Sequence, residues 1–306
     1  MNIVNTIIPI FFVITLGWLA QKKNWMPGSF VDPANRLVFY LAIPAMIFKA
    51  ISSAPLKSSI DITVLAIVLI SSSTTVFLAW LAGKSMKGRF SRGSFIQSSF
   101  HGNLGYIGFA VAFYYLGREG LVKASLIAAF LMILQHFISV IALQFYSGDT
   151  SKNERSMWFV AKKIMSNPVI LAALMGIGFS LSGLTLPSII SRILDIMSSF
   201  ALPLALLIIG ATLSFEVVRS QPLLLCAASA FKLIILPGLG IFLFRLFGVS
   251  PDVFLPGLIL IAAPTATLAC VMAKEMDGDP DFAGAAVSLS TLLSAFTYTW
   301  WLHLAS

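Results

Sequence analysis

The chain has 306 residues, 58% of them hydrophobic and only 10% charged, with a formal net charge of +8. A soluble domain carries about 25% charged residues, so this chain cannot clothe a water-facing surface and its solvent is largely lipid. The bases are too scattered for a nucleic-acid surface, and Cys226 and Cys270 lack CxxC spacing, which argues against a disulfide framework or a metal site.

A helix needs about 20 mainly apolar residues to cross a bilayer. The first such run, near 2–20, has no base before it and Lys22 and Lys23 after it. A secretory signal has the opposite order, so this reads as a retained span. Further runs lie near 31–51, 60–83, 94–116 and 121–146. The polar stretch "SGDTSKNERS" (147–156) follows. Runs near 167–183, 187–213, 222–247, 253–274 and 282–304 complete ten predicted spans. The segment "SMWFVAKKIMSN" (156–167) reads either as an interfacial helix or as an extension of the sixth span. Trp18, Trp25, Trp158, Trp300 and Trp301 are placed for interfacial belts.

Basic residues in short loops set orientation. Loops after odd-numbered spans hold Lys22, Lys23, Lys84, Lys87, Arg89, Arg92, Lys152, Arg155, Lys162, Lys163, Arg219 and Lys274. Loops after even-numbered spans hold half as many: Lys49, Lys57, Arg118, Lys123, Arg192 and Arg245. The odd loops are therefore expected in the cytoplasm and both termini on the opposite side of the membrane.

A repeat runs through the helix breakers. Pro9 and Pro168, Gly17 and Gly176, and Pro44 and Pro203 are each 159 residues apart. The halves are then 1–146 and 167–306, joined by a linker at 147–166. Five spans is an odd number, so the second copy enters the membrane inverted. The expected fold class is an all-α membrane protein of two inverted five-helix repeats, a common construction of secondary transporters.

At the same offset Gly105, in "HGNLGYIGFAV" (101–111), falls on Pro264, in "IAAPTATLA" (261–269). Both lie mid-span. Proline removes a donor and clashes with the preceding turn, and broken backbone in a bilayer survives only inside protein or beside a wet cavity. A break opens a helix N-terminus, whose free amides and dipole attract an anion. Two such breaks face to face make a carboxylate site. Its candidate residues are Gly102, Asn103, Gly105, Pro264, Thr265 and Thr267, with Asn103 and the threonines donating through their side chains. Close helix packing at Gly102, Gly105 and Gly108 is the other reading, and both can hold together.

"GNLGYIG" resembles the fourth-span motif of the auxin efflux carrier family. "AAPTATLACVMAKEM" (262–276) is similar to that family's ninth span, "NRLVFYLAIPAMIF" (35–48) to its second and "FKLIILPGL" (231–239) to its eighth. The resemblance covers essentially the whole chain, without the long central loop of many plant members, and so points to a bacterial carrier. It implies a fold similar to bile-acid/sodium symporters, with fourth and ninth spans broken and crossing. Spans 1, 2, 6 and 7 would form a scaffold, through which the chain pairs as a homodimer, and spans 3–5 and 8–10 a transport unit. Substrates would be small organic acids, dicarboxylates or auxin-like aromatic acids. Asn103 maps to the motif asparagine and Pro264 to the crossover proline. The proline that often follows the fourth-span motif is missing from "GFAV", so that break rests on glycine.

Among ionisable groups, Lys232 is the most isolated, deep in the eighth span. It reads as attracting substrate or gating, or as bonding carbonyls freed by a broken helix. His136 and Gln135 lie mid-span and His101 precedes the break; each is a coupling or gating candidate, with a satisfied core histidine as the competing reading of His136. Asp195 is expected beside Arg192, and the acids Glu275, Asp277, Asp279 and Asp281 in a solvated loop. No catalytic constellation, phosphate loop or metal set is visible, so neither an enzyme nor a cofactor is expected. Coupling to Na⁺ or H⁺ stays open. The expectation is a secondary transporter of organic anions working by elevator-type alternating access; the alternative is a membrane sensor that binds an organic acid without moving it.

Overall fold

The computed structural model describes residues 3–54, 61–84, 86, 88–146, 165–214 and 221–305. Most of the 147–166 linker, and with it most of the 156–167 segment, lies outside the described residues, as does Trp158. Among the described residues the secondary structure is helical throughout, apart from one backbone bridge.

Among the described residues seven helices are long and apolar enough to cross a membrane: α1 (Ile3–Lys22), α2 (Gly28–Ser52), α3 (Ile62–Gly83), α5 (Leu104–Tyr146), α7 (Ser188–Thr212), α8 (Pro222–Leu246) and α11 (Pro280–Ala305). Shorter helices intervene: α4 (Arg89–Ser98), α6 (Pro168–Leu181), α9 (Pro251–Ala262) and α10 (Leu268–Glu275). The chain is a multi-pass membrane protein. Helix α5 runs through two of the apolar runs expected from sequence, and Gly117 interrupts it with a left-handed backbone (φ 72°) that a side chain would resist.

Local chemistry explains several boundaries. Asn167 caps α6, its Oδ1 accepting from the Val169 amide at 2.9 Å, with Pro168 in the first turn where no donor is needed. Asp279 caps α11 in the same way, accepting from the Phe282 amide at 2.9 Å and from the Ser91 hydroxyl at 2.8 Å. It is thus a structural cap, not part of a merely solvated acidic loop. Two helices carry a π-turn just before a proline: Val38–Ala42 before Pro44 in α2, and Phe231–Ile235 before Pro237 in α8. A proline ring clashes with the carbonyl four residues back, and the widened turn relieves that clash. In α8 the carbonyl concerned is that of Leu233, which accepts the Trp301 indole N–H at 2.7 Å.

The chain forms two compact units. The first comprises Met1–Asp61, Gly105–Phe130 and Met165–Leu213. Within it α1 packs on α7, and α2 packs on both α6 and α7. The α1–α7 contact is backbone to backbone: a Cβ at Gly17 would collide with the Leu207 carbonyl, and one at Gly210 with that of Ile14. Lys49, buried on α2, pairs with Asp195 on α7 and donates to the Ser191 carbonyl at 3.3 Å. Arg118 stands 3.9 Å from the same carboxylate. The partner of Asp195 is therefore Lys49, where the sequence suggested Arg192, because the α2–α7 packing delivers that ammonium across the interface.

The second unit comprises Ile62–Leu104, Leu131–Ile164 and Ser214–Ser306. In it α11 packs against α4, α8, α9 and α10, and α3 packs against α4, α8 and α9. Phe95, Phe100 and Phe282 anchor its core. A smaller cluster joins Val140 and Leu143 to Met272, Met276 and Ala283.

Candidate functional site

Helix α4 ends at Ser98 and helix resumes at Leu104; α9 ends at Ala262 and helix resumes as α10 at Leu268. The two gaps run antiparallel, with Gly102 opposite Thr265. They exchange two backbone hydrogen bonds. The Asn103 amide donates to the Pro264 carbonyl at 2.7 Å, and the Ala266 amide to the His101 carbonyl at 2.9 Å.

Each gap has a different cause. Pro264 forces the second, driving Ala263 into an extended backbone (ψ 141°). The first has no proline. A Cβ at Gly102 would lie 3.1 Å from Cε and 3.3 Å from Nζ of Lys232. Glycine thus lets the backbone pass directly beside the lysine. Gly105, expected to be the breaker, lies after the interruption, in the π-turn Leu104–Gly108 that opens α5. Its neighbour Gly102 makes the gap because that is where the lysine crosses.

Backbone groups buried away from water must be paired, and here the partners come from all around. Gln135 bridges the first gap, accepting from the Gly102 amide and donating to the Phe100 carbonyl, both at 3.3 Å. The Ser290 hydroxyl accepts from the Thr265 amide at 3.1 Å. The Thr265 hydroxyl donates to the Ser98 carbonyl at 2.9 Å. At the end of α9 the Lys232 ammonium donates to the Ile261 carbonyl at 2.7 Å, and the Tyr298 hydroxyl to that of Ile259 at 2.9 Å.

This pairing revises the picture of bare amides at the breaks. The amides of Gly102, Asn103, Thr265 and Ala266 are all engaged within the protein. At the starts of α5 and α10 the amides of Leu104, Ala269 and Cys270 are engaged as well, donating to the carbonyls of Gly102, Ala266 and Thr267 at 2.9, 2.9 and 3.3 Å. Thr267 stands at the start of α10. The hydroxyls of Ser98, Ser229 and Thr291 are buried in the same unit and form no hydrogen bond among the described residues. Buried polar groups are nearly always paired, so these three are candidate ligand contacts. Serine and threonine are common in spans, and nothing in the sequence distinguishes these from hydroxyls bonded to their own helix.

The other candidates lie close by. The His101 Nδ1 is 3.0 Å from the Ser139 hydroxyl, and its ring centre is 5.3 Å from that of His136. The His136 Nδ1 faces the Met132 carbonyl one turn back at 2.7 Å, an arrangement that needs a proton on that nitrogen. The fold therefore brings Gly102, Asn103, Pro264, Thr265, Gln135, His101, His136 and Lys232 into one linked network.

The family model described as membrane transport protein matches residues 2–302 of the chain. A protein named "Putative malonate transporter" from Rhizobium meliloti is 27% identical over 309 residues, covering 99% of this chain and 96% of that protein. An "Uncharacterized transporter" from Methanothermobacter thermautotrophicus is 24% identical over 304 residues, covering 98% of each.

Proposed function

The chain belongs to the membrane transport protein family, that of the auxin efflux carriers, and from that premise we propose that it moves small organic anions across the bacterial inner membrane as a secondary transporter. It is a transporter and not an enzyme. The observation that carries the substrate class is the crossing of two interrupted helices at Gly102 and Thr265. Each interruption starts a new helix whose positive end favours a carboxylate. The Asn103 side-chain amide and the hydroxyls of Thr267, Ser98, Ser229 and Thr291 add donors. The relative named for malonate supports a small carboxylate as substrate.

In this reading there are ten spans. Helix α5 counts as two, divided at Gly117, and α4 and α10 complete the broken fourth and ninth. An inverted repeat is supported by reciprocal packing in the first unit, where α1 lies on α7 and α2 on α6. Both termini are periplasmic, spans 1, 2, 6 and 7 form a scaffold that pairs with a second copy, and spans 3–5 and 8–10, which hold the crossing, move in an elevator cycle.

The test is uptake of labelled malonate and a panel of mono- and dicarboxylates into proteoliposomes. Asn103→Ala is expected to lower uptake about tenfold, the size of one lost hydrogen bond to a charged group, while the purified variant keeps its melting temperature. Carboxylate binding without flux in the unaltered protein would overturn transport in favour of a sensor.

A further inference from the structure

Helix α2 carries three stripes at helical spacing. Val31, Ala34 and Val38 are buried. Phe30, Leu37 and Leu41 are exposed and apolar, a face suited to lipid. Ser29, Asp32 and Arg36 form a third stripe, also exposed, with Asn35 at its edge. Arg36 stands about 12 Å along the helix from Gly28, inside the span. A charged side chain within a span faces protein or a water-filled space, not lipid tails. Two exposed stripes of opposite character on one helix therefore have different surroundings: lipid for the apolar one, water for the polar one.

Among the described residues Arg36 forms no ion pair, not even with Asp32 one turn away. Beside it, the Asn35 Oδ1 accepts from the Tyr106 hydroxyl in the first turn of α5, within the same compact unit. That oxygen is occupied, so the Asn35 side chain has only its NH₂ donors to offer. Lys22 and Lys23, also exposed, precede the helix. The stripe thus presents a planar guanidinium, an amide donor and an excess of positive charge, which complements a carboxylate. We propose that Arg36 and Asn35 form a capture site for the carboxylate of the substrate, separate from the crossing, which takes the anion from water before the crossing receives it. Asp32 keeps the site weak by repelling the anion, so that it is passed on. The proposal rests on the organic-anion reading and adds a second site to it.

Two measurements on the full-length protein test this. The first needs no substrate. With Cys226 and Cys270 replaced by Ser, Asp32→Cys is expected to react with water-soluble methanethiosulfonates, because the reactive thiolate needs water, whereas Leu37→Cys on the apolar stripe does not. Adding Arg36→Gln to Asp32→Cys is expected to lower the rate with an anionic reagent relative to that with a cationic one. The second is malonate uptake into proteoliposomes. Arg36→Gln is expected to raise KM about tenfold at unchanged maximal rate, Arg36→Lys to raise it less, and Asp32→Asn to lower it. Added salt is expected to raise KM in the unaltered protein more than in Arg36→Gln. Equal labelling of the two stripes, an anion-to-cation rate ratio indifferent to Arg36, or an unchanged KM in Arg36→Gln each overturns the proposal. So does a disulfide between two copies of Asp32→Cys, which would mark the stripe as an interface between chains. Should Arg36→Gln fail to fold, an unchanged or raised KM in Asp32→Asn is equally fatal. If no carboxylate is carried by the unaltered protein, the organic-anion reading fails, and the reagent ratio still decides whether Arg36 draws anions to a wet stripe.

Discussion

The two compact units each bury a lysine, and they treat it differently. In the first, Lys49 sits on α2 a turn beyond Pro44 and meets Asp195, a carboxylate that is itself half exposed. In the second, Lys232 sits on α8 just before Pro237, donates to the Ile261 carbonyl, forms no ion pair among the described residues and is more deeply buried than Lys49. A lysine paired with an acid is electrically complete and needs nothing further to be stable. A lysine that faces a helix C-terminus and no acid is held by the negative end of that helix's dipole. The difference separates a charge that joins two helices through an acid from one that closes the end of an interrupted helix.

Substitutions can break or sharpen that contrast. The largest expected effect is that of Lys232→Met on transport, at least about tenfold in malonate uptake, with little change in melting temperature because the lost hydrogen bond is offset by removal of a buried charge. Tyr298→Phe comes next. It leaves the Ile259 carbonyl at the end of α9 without its donor, at a cost of about 1–3 kcal/mol, seen as a lower midpoint in denaturant or thermal unfolding. Asp279→Ala removes the cap of α11 and is expected to cost about 1 kcal/mol by the same measurement. Smallest is Lys49→Met. Asp195 can turn to solvent, so only a slight fall in melting temperature is expected, with uptake unchanged. A loss of transport in Lys49→Met equal to that in Lys232→Met would erase the distinction between the two lysines.

Much of the architecture was legible in the chain. Apolar runs of span length and the break at Pro264 follow from properties that residues carry wherever they are placed. A proline lacks its donor in every context. Glycine only permits a break. Gly102, Gly105 and Gly108 were equivalent in sequence, and the alignment with Pro264 favoured Gly105. The structure chose Gly102, because Lys232 passes there. Likewise Asp195 had a plausible partner one turn away in Arg192, yet packing of α2 on α7 supplied Lys49.

By itself the sequence determined that this protein lives in lipid, where its helices lie and where one of them must fail. Tertiary structure alone decided which side chains repair the opened backbone: Gln135 for Gly102 and Phe100, Thr265 for Ser98, Ser290 for Thr265 and Lys232 for Ile261. The reason is physical. Apolarity and breaking are properties of single residues, whereas a hydrogen bond in a water-poor interior depends on which distant segment folding brings within about 3 Å.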